Sequence, residues 1–172
     1  TVEDRLLIGK PETPRTVKVF FNLLIDEYQI SIQKNVVHRY AERDKGELYE
    51  PFEILPIATT KLHEKVMLFS DNKPRKVSVG VRSGANNVNG RLLLETPDGW
   101  TVSPNFIEVD IKQKGDTQNY EFTVIPTSSD SEGKLKVSII INGEAYGKEL
   151  VEIKYSHIPK QSILQESEAK VV

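Results

Sequence analysis

The chain has no cysteine among its 172 residues, which excludes a disulfide framework and any thiolate zinc site. It has only three histidines, His38, His63 and His157, and none falls in a spacing such as HExxH that turns two imidazoles toward one metal. Each reads as a surface or loop histidine. Net charge is also small: a formal −2 supplies no basic field for nucleic acid or anionic lipid. No apolar run approaches the roughly 20 residues that a membrane-spanning helix needs. The glycines never adopt the GxGxxG or GxxxxGK spacing that cradles phosphate. No acidic loop has EF-hand spacing, and the cluster Ser128-Ser129-Asp130-Ser131 lacks a GxSxG context and reads as a loop. Helical periodicity is scarce too. Only 161–169 hints at it, in a window too short and polar to dock firmly. The single methionine is Met67, so the expectation is a trimmed or processed piece whose targeting signal lies outside it.

What is present is alternation. The hydrophobic fraction of 38% and charged fraction of 28% are those of an ordinary globular protein rather than a disordered one. Val17, Val19, Phe21, Leu23 and Ile25 recur at period two, the mark of a half-buried strand. Asp26-Glu27 turns the chain into Tyr28, Ile30 and Ile32. A strand over 36–41, a charged turn over 42–46 and an extended segment over 49–56 follow. These strands make half a sandwich, too small to bury both faces alone, so the expectation is packing on the rest of the chain or a homodimer through this truncated sheet.

From residue 57 the pattern restarts, with short strands over 58–62 and 65–69 and a turn over 70–74. Val77, Val79 and Val81, then Leu92 to Leu94, then Ile107, Val109 and Ile111 mark the next three strands. After Lys114-Gly115-Asp116 come Tyr120, Phe122 and Val124, then Leu135, Val137, Ile139 and Ile141. Asn142-Gly143 predicts a type I′ hairpin, because both positions tolerate positive φ, with a return strand over 146–155. About seven strands over some 100 residues, with turns every 8–12, describe an immunoglobulin-like sandwich. The fold class expected is therefore all-β: an immunoglobulin-like β-sandwich over 57–158, preceded by the last strands of a partial second β-sandwich over 1–56, with 159–172 as a linker.

Glu108, Asp110 and Glu121 alternate with apolar residues and read as solvent-facing strand positions. The basic patch Lys73-Pro74-Arg75-Lys76 could touch an acidic partner, but four residues on a net-acidic chain read better as a charged turn guarding a sheet edge. Trp100, the only tryptophan, follows a Pro97-Asp98-Gly99 turn and precedes Val102 and Pro104. An exposed indole there would stack on a sugar, with Tyr120, Tyr146 and Tyr155 as companion carbohydrate contacts. A buried one would plug the sandwich core, the reading favoured because tryptophan is highly buried on average.

The stretch Pro97-Asp98-Gly99-Trp100-Thr101-Val102-Ser103-Pro104 resembles the PxGWxVxP signature of NEW3-type accessory domains, immunoglobulin-like sandwiches attached to bacterial sugar-active enzymes. In that resemblance Pro97, Gly99, Trp100, Val102 and Pro104 are signature and core residues. The flanks Leu7-Ile8-Gly9-Lys10-Pro11-Glu12, Gly46-Glu47-Leu48-Tyr49-Glu50-Pro51-Phe52-Glu53-Ile54, His157-Ile158-Pro159 and Glu168-Ala169-Lys170-Val171-Val172 extend it. Together they are similar to the non-catalytic region of Bacteroidetes proteins that carry a PIG-L (LmbE-like) deacetylase domain. The resemblance implies an exported parent, periplasmic, secreted or cell-surface, that removes N-acetyl groups from sugars with zinc held by His-Pro-Asp-Asp. No histidine here is followed by proline, so no catalytic or metal residue carries over, and no cofactor is expected in this piece. The expected partners are other domains of the parent chain or, in the carbohydrate-binding alternative, a glycan, with no nucleic acid and no membrane insertion.

Overall fold

Period-two alternation can be satisfied only where one face of a strand meets an apolar layer. In the computed structural model it is satisfied very differently in two parts of the chain. The structure describes residues 15, 17–69, 73–127, 132–155, 157–158 and 160–172. The expected serine loop at 128–131, most of the turn at 70–74 and the first flank at 7–12 lie outside these. The chain divides into two units, Thr1–Ile54 with Glu152–Ser162, and Leu55–Val151 with Ile163–Val172.

The first unit contains two antiparallel hairpins. Strand β1 (Lys18–Ile25) pairs with β2 (Tyr28–Asn35), and β3 (Val37–Glu42) with β4 (Gly46–Pro51). Asp26 and Glu27 both take positive φ, 45° and 72°, the backbone of a tight type I′-like turn without its usual glycine. Backbone bonds from Val36 N to Val17 O (3.1 Å) and from Phe52 N to Val36 O (3.3 Å) extend each hairpin's ladder by one rung at its open end, with Val36 shared by both. The strands lie where the period-two alternation places them, as two separate two-stranded sheets.

The second unit is the sandwich. One sheet has the order β5 (Ala58–Leu62), β7 (Arg75–Ser83), β11 (Thr117–Ile125), β9 (Thr101–Ser103). The other runs β10 (Ile107–Ile111), β8 (Val88–Glu95), β12 (Gly133–Ile141), β16 (Glu168–Val171), β6 (Val66–Met67), with β13 (Glu144–Tyr146) also on β12. From β5 to β12 successive strands alternate between the sheets, and the last strand lies parallel to β6 near the start, which is immunoglobulin-like topology. The inward positions Val77, Val79, Val81, Leu92, Val109, Ile111, Phe122, Val124, Leu135, Val137 and Ile139 form the core. Thr60 is buried with them because its hydroxyl donates to Val137 O (3.3 Å) across the sheets. Gly90 lets β8 approach β12, since a Cβ there would stand 2.5 Å from Ile140 O. Asn142 and Gly143, at φ 52° and 87°, make the predicted hairpin turn.

Three expectations need correction. Residues 159–172 are not a linker: β15 (Gln161–Glu166) pairs with β14 (Lys148–Ile153), and β16 is an interior strand of the larger sheet. In β16, Ala169 and Val171 alternate inward, with backbone partners on β12 and β6. The boundaries shift accordingly, since 152–162 belongs with the first unit. The single return strand expected over 146–155 is two, β13 and β14, interrupted at Gly147.

Candidate functional site

Trp100 sits in the link from β8 to β9, where its N–H donates to Pro97 O (3.1 Å) and the Thr96 hydroxyl donates to its carbonyl (3.2 Å). These bonds close the Pro97-Asp98-Gly99 turn, in which Gly99 has φ +79°. The indole is 6% exposed and meets the edge of Phe69, ring centres 4.8 Å apart at 77°. Phe69 is itself anchored, its N–H bonded to Val172 O (2.8 Å). Trp100 is therefore a core residue and presents no free face to a sugar. Val102 packs partly buried beside the core, while Pro104 is exposed after a cis peptide bond.

The other proposed sugar contacts do not gather around it. Tyr120 lies on β11 and Tyr146 on β13, in different sheets, each half-buried with its hydroxyl donating to a neighbour two residues away, Gln118 and Glu144 (both 2.7 Å). Burial raises the Tyr120 phenol, with the Asp110 charge adding to it. Tyr155 belongs to the first unit, is 63% exposed and stacks on His157 (5.8 Å). The histidines are equally scattered. His38 stacks on Tyr40 in β3, and His63 is within hydrogen-bond distance of Asn119 (3.1 Å). Among the described residues no group of three or more His, Asp and Glu is placed to hold a metal ion. Neither these positions nor the sequence match a His-Pro-Asp-Asp zinc site, so no step through zinc is derived for this chain.

The surface charges expected on strands are outward and paired: Arg91 with Glu108 (3.1 Å), Lys112 with Asp110 (2.7 Å) and Lys76 with Glu121 (2.8 Å). The basic patch at 73–76 does not cap an edge strand. Arg75 and Lys76 begin β7, and Arg75 bonds Glu64 (2.6 Å) and Leu68 O (2.9 Å) while lying over the Phe69 ring.

Two polar features escape the sequence. Glu149 on β14 is only 3% exposed, with the Lys65 ammonium hydrogen-bonded to it, Lys61 Nζ at 3.5 Å and Gln165 Nε2 at 3.5 Å. Burial alone would push this carboxyl up, but Lys65, then Gln165 and Lys61, overcome that and hold it below the ordinary range. A glutamate in a strand normally reads as solvent-facing, so no local signal marks it. The second feature is a cleft of about 220 Å³ lined by Glu95, Lys136, Ser138, Gly147, Glu166 and Glu168, with buried Ser167 beside it. Ser167 bridges the gap on β12 between β13 and β16, accepting from Val137 N (3.0 Å) and donating to Gly147 O (3.0 Å). The cleft is smaller than the roughly 300–1,000 Å³ of typical ligand sites.

The β1–β2 ribbon presents an apolar face. Register places Val19, Phe21, Leu23, Ile25, Tyr28, Ile30 and Ile32 on one face of the β1–β2 ribbon, and all seven are 40–76% exposed. The opposite face mixes Phe20 and Leu24 with Asn22, Gln29, Ser31 and Gln33. The fold and surfaces together define an all-β protein with an immunoglobulin-like sandwich and an exposed apolar ribbon. No protein-family model matches the chain, and no curated protein matches it.

Proposed function

We propose that this chain is a non-catalytic accessory β-sandwich segment of an exported PIG-L-type sugar N-deacetylase, where it spaces or docks the catalytic domain. The observation that carries the reading is the apolar β1–β2 face. A soluble domain rarely leaves so large a contiguous apolar patch open unless it serves assembly. The Pro97-Asp98-Gly99-Trp100 signature, used here as a core plug, supports the choice of parent. The sandwich uses Trp100 and the buried Glu149 with its lysines in packing and pairing, which suits a scaffold.

The test is reconstitution. The separately expressed catalytic domain should bind this chain in a pull-down, and the purified chain supplied with zinc should release no acetate from N-acetylglucosamine substrates. Acetate release with stoichiometric zinc uptake would overturn the reading. A glycan-holding role would have to work from Tyr155, the exposed member of the four candidate aromatics, and a glycan array tests it.

A further inference from the structure

We infer that the occupant of the apolar β1–β2 face is the same face of a second copy of this chain, stacked with its ends reversed. This deepens the assembly reading above and rests on it only in taking the face as a docking surface.

The argument begins with the charges at the ends of the ribbon. Lys34, paired with Val19, is the polar member of the apolar face and stands at its open end, with Lys18 close by on the other face. Asp26 and Glu27 form the turn at the opposite end. Among the described residues none of these four has an ion partner. The ribbon is therefore positive at one end, negative at the other and apolar between.

Two such ribbons can stack face to face about two kinds of two-fold axis. An axis along the strands sets turn over turn and lysine over lysine, which juxtaposes like charges. An axis across the strands sets the Asp26-Glu27 turn of each copy over the Lys34 end of the other. Only the second arrangement pairs opposite charges at both ends, and it does so twice by symmetry. The seven apolar side chains, each about half exposed, present on the order of 600 Å² per copy, so a pair removes about 1,200 Å² from water, the lower bound for specific interfaces. A face apolar throughout its middle also suits a partner that is apolar throughout, which the same face provides.

The test is sedimentation velocity on the purified chain across a concentration series at low and high salt. The expected result is a monomer–dimer equilibrium that weakens as salt rises. Leu23→Lys should abolish the dimer. Replacing Asp26-Glu27 by Asn-Gly keeps a favourable type I′ turn while removing the negative pole. That variant should fold as well as the parent yet dimerise about three- to tenfold more weakly at low salt, and Lys34→Glu should do the same. Combined, the two changes should be far from additive, since each removes one partner of the same pair. A chain that stays monomeric at high micromolar concentration overturns the inference. So does a dimer indifferent to Leu23→Lys, or one indifferent to both charge changes. A monomer that still captures the catalytic domain refutes self-docking and leaves the accessory reading standing, whereas a dimer that fails to capture it refutes only the latter.

Discussion

Changing Val171 near the end of the chain separates a structural strand from a linker. Val171 is fully buried on β16, facing Gly133 on β12 and Met67 on β6. Val171→Ala removes two methyl groups from a closed layer and should cost about 2 kcal/mol once the cavity is counted. For a sandwich of this size that lowers the melting temperature by about 8–10 °C. Val171→Asp buries a charge with no partner and should unfold the sandwich outright. The assay is built into the molecule. Trp100 is the only tryptophan, it lies in the sandwich, and it packs on Phe69, which is bonded to the carbonyl of Val172. Tryptophan fluorescence during heating therefore reports the unit that β16 completes. Loss of β16 should shift emission to the red as Phe69 and the indole lose their packing. If Val171→Asp kept the parent's emission and melting temperature, residues 168–171 would be no part of the sheet, and the reasoning would fail.

Glu149 has a folded pKa below its ordinary value of 4.5, so the stability it contributes is fully present above that value and is lost as pH falls through the lower, folded one. Glu149→Gln should therefore be destabilised by about 1–3 kcal/mol at neutral pH, with the difference from the parent closing in acid, as urea denaturation at stepped pH will show. Gly90→Ala should cost about 1–3 kcal/mol, because the new methyl meets Ile140 O at 2.5 Å and must push β8 from β12; thermal melting tests it. Thr60→Val should cost about 1 kcal/mol or less, since only one hydroxyl bond to Val137 O is lost, and the same melts measure it.

Much of the architecture was legible because strand alternation is local. Val77, Val79 and Val81 announce an inward face without reference to any partner, and Asn142-Gly143 announces its turn. The indole's burial followed from the composition around it. What stayed illegible depended on distant partners. The four residues Glu168 to Val171 carry only two alternating pairs, too little to distinguish strand from linker until β12 and β6 offer edges. Glu149 alternates like any surface glutamate, and only the approach of Lys61 and Gln165 from other strands, and of Lys65 just before β6, makes its burial tolerable.

By itself, the sequence determined an all-β chain, its main turns and a sandwich built around Trp100, because each of these is written in the φ/ψ preferences and side-chain periods of neighbouring residues. Tertiary structure alone decided that the final strand enters the interior of the sheet and that Glu149 is buried with its lysines. Those outcomes depend on pairing and burial between residues far apart along the chain, where local preference carries no information.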